Sequence, residues 1–232
     1  MKKIIFPLIV TLIAFNSNAQ ILQIGVGIGS TIVTAHDFYT NDLTGTIYQK
    51  SITSPYSLVV LDGLDFNSEY NMAIKARLLK NNNPLNYYCE ISFNRLIGKG
   101  IIHFDTSPES SYLPPPRKSE SKCNLISISL GAEYKILNRG INPFLSAGII
   151  ISHLGDIHIQ TIEDELYNYN CIATKGGMRY GLNFGVGFHY KIYKKFFFEI
   201  SSNYSMNNLL GRESSEKYLN TIRPNINILY EL

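Results

Sequence analysis

Apolar and polar residues alternate one by one in eight stretches of this chain. A period of two predicts a β-strand with one apolar face and one polar face, because successive side chains of a strand point to opposite sides. Each stretch runs for about 9–13 residues, which is the length a tilted strand needs to cross a bilayer and exceeds the usual soluble strand. The apolar faces take every second residue of Ile24–Ile28, Tyr70–Leu78, Leu85–Phe93, Ile126–Tyr134, Leu145–Ile151, Tyr180–Tyr190, Phe196–Tyr204 and Pro224–Leu232.

The connections between these strands alternate in length. Long connections follow the odd-numbered strands and short ones follow the even-numbered strands. Transmembrane barrels of bacterial outer membranes have long outer loops and short periplasmic turns, so the alternation favours that architecture. The long connections are Val33–Ser68, Ile97–Lys122, His153–Gly177 and Met206–Tyr218, and the short ones are Lys80–Pro84, Leu137–Asn142 and Ile192–Lys195.

Aromatic residues mark both ends of the apolar faces, whereas the middle is mostly Ile, Leu, Val and Ala. Two aromatic girdles around an aliphatic band are typical of a barrel wall that meets two membrane interfaces. The girdle nearest the short turns consists of Tyr87, Tyr134, Tyr190, Phe196 and Tyr230, and the girdle nearest the long loops consists of Tyr70, Phe93, Tyr180 and Tyr204. The pattern therefore predicts an all-β fold, an eight-stranded antiparallel up-and-down transmembrane β-barrel.

The first residues predict a signal peptide. Lys2 and Lys3 precede an apolar core from Ile4 to Phe15, and small residues at Ser17 and Ala19 suit cleavage after Ala19. Residues 1–19 are then the signal peptide and 20–232 the barrel domain. Cleavage would leave 19 basic and 18 acidic residues. So small a surplus argues against nucleic acid as a partner.

Four stretches of the sequence support a resemblance to a known family. They are QIGVGIGS, NPFLSAGIII, RYGLNFGVGFHYKI and the final NINILYEL, and they are spread over nearly the whole mature chain. They resemble the small outer-membrane β-barrel proteins, the eight-stranded OmpA-like, OmpW-like and PorT-like group. The resemblance implies a Gram-negative cell outer membrane as location and the barrel-assembly machinery as a partner during biogenesis. Members usually end on an aromatic residue, whereas this chain ends on Leu232, with Tyr230 two residues before it.

The predicted inward face carries charged side chains of both signs. An eight-stranded barrel has room inside only for side chains or one small ligand, so an interior charge network is favoured over a conduction path. Counting back from the turn at Lys80–Pro84 sets Lys75 roughly opposite Glu90. The predicted network consists of Lys75, Arg77, Glu90, Glu133, Lys135, Arg179, Glu199 and Arg223.

Enzymatic chemistry has little support in the sequence, and no catalytic residue is predicted. Glu90 with Glu133 or Glu199 could form a carboxylate pair, but nearby Arg and Lys favour ion pairing. His153 and His158 are five residues apart and face opposite sides of a strand, which disfavours a shared metal ion. Ser152 and His153 are adjacent, so they cannot form one dyad. No cofactor and no metal is expected.

Cysteines and one apolar loop segment remain. Cys89 lies on the lipid-facing side, while Cys123 and Cys171 fall at the base of one long loop and within the next, where an exported protein could form a disulfide. The segment Tyr56–Leu64 could cover the barrel mouth, pair with the rim as an extra hairpin, contact a partner, or add two membrane strands to make ten.

Several functions fit such a barrel. The leading hypothesis is a non-enzymatic integral outer-membrane protein that presents its loops to an envelope or extracellular protein partner, for adhesion or structural support. The alternatives are a porin-like narrow channel or transporter for small or hydrophobic molecules, and a component of a protein export machine. Outer-membrane lipid is the expected surrounding of the wall in every case.

Overall fold

The computed structural model describes residues 21–34, 57–67, 69–79, 83–106, 117–137, 141–161, 170–174, 176–212 and 218–232. The predicted signal peptide lies outside these residues. Within them the chain forms eleven β-strands. No described segment forms a helix that is long and apolar enough to cross a membrane.

Eight of the eleven strands close into an antiparallel barrel. Around the barrel each strand pairs with its neighbour in the chain, and the first strand pairs with the last, so no edge remains open. These strands are β1 (Ile21–Val33), β3 (Glu69–Leu79), β4 (Leu85–Thr106), β5 (Arg117–Lys135), β6 (Ile141–Leu154), β9 (Gly177–Tyr193), β10 (Phe196–Leu210) and β11 (Asn220–Glu231). This is the predicted eight-stranded barrel.

The two faces of the wall differ as the alternation predicts. Ile74, Ile149, Val186 and Ile226 are among the many large apolar side chains that are exposed on the outside. The inward positions of the same strands are buried and mostly polar, as Asn71, Asn183 and Asn225 illustrate. The aromatic residues of both predicted girdles lie at outward positions, with Tyr70, Tyr87, Tyr134, Tyr180, Tyr190, Phe196 and Tyr230 exposed and Phe93 and Tyr204 half-buried.

The described parts of the long connections contain more β-strand than the sequence indicates. The predicted loop Ile97–Lys122 is largely a continuation of β4 and β5, which stay paired from Ile97 and Lys122 out to Ile102 and Arg117. Beyond the membrane wall charged residues such as Lys99 and Lys122 take outward positions, so the apolar alternation that marks a membrane strand disappears while backbone pairing continues. Alternation alone therefore overestimates the length of the loops, because it counts these paired extensions of β4 and β5 as loop.

Three further strands extend this paired region beyond the wall. They are β2 (Ser57–Asn67), β7 (Ile157–Thr161) and β8 (Asn170–Thr174). β2 pairs with the far half of β4, β7 pairs with the far end of β5, and β8 pairs with β7. The result is a five-stranded sheet at the long-loop end, in the order β2-β4-β5-β7-β8, which we call the outer sheet. Residues 57–64 of the predicted apolar segment thus belong to a strand beside the rim, and the ten-stranded alternative is wrong.

Glycines on the inner wall make room for side chains of neighbouring strands. A Cβ atom at Gly25 would lie 2.8 Å from Leu229 Cδ2, and one at Gly27 would collide with the side chain of Asn227. On the opposite wall, a Cβ at Gly187 would lie 2.6 Å from Phe144 Cζ. The space that these glycines leave is therefore filled by side chains of the adjacent strand.

Candidate functional site

The barrel interior is the most distinctive chemical feature of the described structure. Among the described residues, six charged side chains lie inside it at no more than 3% exposure, three cations and three anions, and a seventh, Arg179 on β9, is 4% exposed. An unpaired charge in such a place is costly, so cations and anions of the interior are expected to pair. The six residues are Lys75, Arg77, Glu90, Glu133, Glu199 and Arg223.

Four of these residues form a compact cluster in the half of the barrel nearest the short turns. Lys75 Nζ lies 2.6 Å from Glu133 Oε1 and 2.8 Å from Glu199 Oε1. Arg77 Nε lies 2.5 Å from Glu133 Oε2, and its Nη2 is also paired with Glu199. The cations come from β3 and the carboxylates from β5 and β10, so the cluster joins three strands across the lumen. We call it the four-charge cluster.

Two amides complete the hydrogen bonds of this cluster. Asn227 Nδ2 donates to Glu199 Oε1 over 2.9 Å, and Arg77 Nη1 donates to Gln23 Oε1 over 3.5 Å. Neither Gln23 nor Asn227 belongs to the interior network predicted from the sequence. Both lie at inward positions of the predicted alternation, but alternation does not show which inward side chains contact each other.

A second ion pair lies nearer the middle of the barrel. Arg223 Nη1 is 3.5 Å from Glu90 Oε1 and donates a 2.5 Å hydrogen bond to Ser92 Oγ. Arg223 Nη2 donates to Ser205 Oγ over 3.2 Å. This guanidinium on β11 thereby contacts side chains of β4 and β10.

The sequence placed Lys75 opposite Glu90, which suggested an ion pair between these two residues. Lys75 and Glu90 are indeed directly opposite in the pairing of β3 with β4. The ammonium group nevertheless forms its salt bridges with Glu133 and Glu199, because a long side chain that points into the lumen can reach facing strands. Of the other two predicted members, Arg179 is buried on β9 and Lys135 is half-buried at the end of β5.

Aromatic rings line the four-charge cluster. Lys75 Nζ lies 5.4 Å from the ring centroid of Tyr88 and 5.3 Å from that of Phe144. Tyr88 packs where Gly131 and Gly148 leave the wall flat, since a Cβ at either glycine would lie within 2.9 Å of the tyrosine side chain. The rings give the cations a cation–π contact and exclude water from their flanks.

An apolar layer replaces the polar interior near the long-loop end. Leu96 and Cys123 are direct partners across β4 and β5, and Leu125 and Leu154 are direct partners across β5 and β6. All four are at most 4% exposed. Ile157 and Leu219, on the segments just beyond β6 and before β11, are 0% exposed. Period-two alternation did not predict this layer, because Leu96 and Cys123 lie between the last alternating residues of the wall and the predicted loop Ile97–Lys122.

The disulfide that the sequence allows between Cys123 and Cys171 is not formed in this structure. Cys123 is a free and buried thiol, and Cys89 is also free. Cys171 belongs to β8, which pairs with β7, and β7 in turn pairs with β5. A whole strand therefore separates the two cysteines, and neighbouring strands are about 4.8 Å apart, so the backbones lie beyond disulfide reach.

The other candidate reactive groups stay separate. Ser152 is fully buried and bonded to Ser127, with 2.9 Å between the hydroxyl oxygens, whereas His153 is exposed on the opposite face. Among the described residues, no three His, Cys, Asp or Glu side chains gather as a metal-binding group. The carboxylates of the interior are each paired with a cation, which suits a structural role better than acid–base chemistry.

Comparison with known proteins identifies relatives in structure. The outer membrane protein OprG from Pseudomonas aeruginosa is 10% identical, the match covers 93% of this chain and 97% of OprG, and the TM-score is 0.50. Neisserial surface protein A is 9% identical, with 90% and 96% covered and a TM-score of 0.47. The attachment invasion locus protein Ail of Yersinia pestis is 13% identical, with 92% and 100% covered and a TM-score of 0.42.

These similarities concern the fold. No protein-family model matches the sequence, and no curated protein matches it. The likeness to OprG extends over nearly the whole of both chains, and it agrees with the closed antiparallel strand order.

Proposed function

We propose that this outer-membrane β-barrel is a non-enzymatic scaffold that holds the outer sheet outside the cell for a protein partner. In such barrels the short turns face the periplasm and the long loops face outward. The outer sheet therefore lies on the external side of the membrane.

The outer sheet is the observation that carries the proposal. Three of its five strands add nothing to the closure of the barrel, yet they are paired to the extensions of β4 and β5. Binding residues in proteins are often found on connections that a rigid scaffold positions. A sheet built on two strands that continue from the membrane wall is a preorganised surface. Binding of a partner to it therefore costs little conformational entropy.

The interior supports a scaffold more than a channel. Eight strands leave space only for side chains or a small ligand, and here the four-charge cluster, the Glu90–Arg223 pair and the apolar layer occupy successive levels along the barrel. Ion pairs that join β3 to β5 and β10, and β11 to β4, stabilise the wall against deformation.

The register of β4 and β5 offers a precise test. Ile97 and Lys122 are direct partners, so an Asn-Gly turn can join them and replace residues 98–121 without disturbing the membrane wall. The trimmed protein lacks most of the residues that pair with β2 and β7. We expect it to assemble as a heat-modifiable barrel in the outer membrane and no longer to bind the protein partner.

Site-specific photo-cross-linking in living cells identifies that partner. The probe residues are His158 and Arg212, which are exposed at the long-loop end, and the matched controls are Tyr193 and Lys194, which are exposed at a short turn. The proposal expects one protein adduct of constant mass at the outer probes, absent from the trimmed variant. Adducts at the control positions alone, or adducts that survive trimming, would contradict it.

A further inference from the structure

The end of the barrel that carries the short turns has a surplus of positive charge. The three predicted short turns contain no Asp or Glu, and six cations lie in them or within two residues of them. The six are Lys80, Lys135, Arg139, Lys191, Lys194 and Lys195. The carboxylates next to this end are Glu231, at the end of β11, and the terminal carboxylate of Leu232. A surface of one predominant sign attracts ligands of the opposite sign, so this end favours an anion from the periplasm.

Five polar side chains of four neighbouring strands face the lumen just inside this end or at its rim. Asn142 on β6 is the direct partner of His189 on β9. Lys191 is two residues from His189 and therefore shares its inward face. Lys135 on β5 lies two residues beyond the direct partner of Asn86 on β4, also on the inward face. We call Asn86, Lys135, Asn142, His189 and Lys191 the mouth cluster.

The ring of Phe197 positions two members of the mouth cluster. His189 stacks on this ring with centroids 4.9 Å apart and planes 5° apart, and Lys191 Nζ lies 5.5 Å from the ring centroid. Phe197 is an inward residue near the start of β10 and is 9% exposed. Lys191 therefore extends over the mouth of the lumen and not toward the surrounding lipid.

The mouth cluster contains buried polar atoms that no described residue satisfies. Asn86 is 1% exposed and His189 is 3% exposed. Neither the nitrogen nor the oxygen of the Asn86 amide has a hydrogen-bond partner in the described part of the chain, and the same holds for His189 Nε2 and Asn142 Oδ1. Buried polar atoms normally have partners, so these atoms point to a group from outside the described residues.

Lys135 adds a positive charge that the described residues do not balance. Its ammonium group has no ion pair among them, and it interacts electrostatically with Arg77 and Glu133. Glu133 is already paired with Lys75 and Arg77, and Glu199 is paired with the same two cations. Three cations thus share two carboxylates. A third carboxylate at the mouth would balance the charge and give Lys135 a charge-assisted hydrogen bond.

The chemistry of the mouth cluster fits the end of a peptide chain. Lys135, Asn86 Nδ2 and, when it carries the ring hydrogen, His189 Nε2 are donors for a carboxylate. Asn86 Oδ1 and Asn142 Oδ1 are acceptors, which suit the N–H of a last peptide bond and not an inorganic anion. Beyond the mouth cluster, side chains fill the lumen, so only the end of a ligand can enter.

We propose that the mouth cluster binds the C-terminal carboxylate of a peptide that enters from the periplasm. Lys135 and Asn86 bind the carboxylate oxygens, Asn142 accepts the peptide N–H, and Lys191 attracts the chain end to the mouth. This site lies at the opposite end of the barrel from the outer sheet, and it is independent of the function proposed for that sheet.

The test uses the purified, folded barrel in detergent and trifluoroacetyl-trialanine with a free C-terminal carboxylate, followed by fluorine NMR. The variant K135Q/K191Q removes both cations of the mouth cluster. Its matched control, K194Q/K195Q, removes two lysines of the adjacent turn that lie outside the cluster. We expect K135Q/K191Q to bind the peptide about tenfold more weakly and the control to change by less than about twofold, because a charge-assisted hydrogen bond needs direct contact whereas general attraction does not.

Two further arms identify the ligand chemistry, and both use the unaltered barrel, so they decide the question even where a variant fails to fold. The C-terminal amide of the same peptide is expected to bind at least about tenfold more weakly, because it lacks the charge. Propionate, a small acid without a peptide bond, is expected to displace the peptide only at roughly tenfold higher concentration. Heat-modifiable gel mobility verifies that each variant is folded. No saturable binding of the free-acid peptide, equal binding of the amide or of propionate, or equal weakening by the control variant would each overturn the proposal.

Discussion

Individual side chains inside the barrel act across the lumen more than along the wall. Arg77 contacts carboxylates from β5 and β10, and Arg223 contacts side chains from β4 and β10. Each of these buried cations therefore contacts at least one strand that is not its neighbour in the barrel. Removing one partner leaves a charge in a place where water cannot replace the lost contact.

Glu199 is expected to matter most among the interior carboxylates. It pairs with Lys75 and Arg77 and accepts a hydrogen bond from Asn227. Glu199→Gln should lower the free energy of unfolding by about 3–5 kcal/mol, the range for a broken buried ion pair. Glu90→Gln should cost less, about 1–3 kcal/mol, because Arg223 keeps its bonds to two serine hydroxyls. Urea unfolding in lipid vesicles, followed by far-UV circular dichroism, measures both.

A charge-balanced variant is the control for this prediction. Lys75→Met combined with Glu199→Gln removes one cation and one anion and leaves Arg77 paired with Glu133. The double variant should be more stable than Glu199→Gln alone. A double variant that loses the sum of the two single effects would show that the side chains do not interact.

Gly27 is expected to be required by a neighbouring side chain. A Cβ there would collide with Asn227, which must keep its position to donate to Glu199. Gly27→Ala should therefore cost about 1–3 kcal/mol by overpacking. Asn227→Ala in the same chain should relieve the collision, so the double variant should be more stable than additivity predicts. Strict additivity in the same unfolding experiment would contradict this account.

At the level of whole elements, β4 and β5 combine two environments in one hairpin. Their first halves form part of the membrane wall, and their far halves form the centre of the outer sheet. Backbone hydrogen bonding is continuous through the change, while the side-chain pattern is not. The hairpin therefore transmits the rigidity of the barrel to the outer sheet.

The register of β2 against β4 can be tested by cross-linking. Val60 and His103 are direct partners, and direct partners of an antiparallel pair are about 4.5–5.5 Å apart at Cα, which suits a disulfide. With the native cysteines changed to serine, V60C/H103C should form a disulfide in the folded protein. V60C/F104C, shifted by one residue to the opposite face, should not. Equal cross-linking of both pairs, measured by mass spectrometry of non-reduced digests, would contradict the register.

At the scale of the whole molecule, the filled interior predicts a barrel that is closed to ions. The four-charge cluster, the Glu90–Arg223 pair and the apolar layer lie at successive levels, and eight strands enclose little space beyond side chains. Planar-bilayer recordings of the purified protein should show no steady, large openings. Such openings in the unaltered protein would refute the closed barrel and favour the transport alternative.

The outer surface predicts the behaviour of the protein on extraction. Ile74, Ile149, Val186 and Ile226 belong to a continuous band of exposed apolar side chains, far larger than the patches that soluble monomers carry. The protein should sediment with outer membranes and need detergent to leave them. Recovery as a monodisperse protein in detergent-free buffer would contradict the assignment.

The sequence alone determined the wall of the barrel. Period-two alternation identifies the eight membrane strands, their lipid-facing residues and both girdles, because lipid on one side and a packed interior on the other impose opposite demands on neighbouring positions. The inward location of Lys75, Arg77, Glu133 and Glu199 follows from the same rule. The alternation did not predict the ion-pair partners, because Lys75 was expected to face Glu90 but pairs with Glu133 and Glu199.

The tertiary structure decided what meets across the lumen and above the membrane. Barrel curvature brings β3 opposite β5 and β10, and no local pattern encodes such distances, so the four-charge cluster and the separation of Cys123 from Cys171 appear only in the folded chain. The outer sheet is defined by backbone pairing beyond the membrane wall. Backbone hydrogen bonds form between almost any residues, and of the three added strands only β7 alternates, over five residues, so the folded structure is needed to show which strands pair.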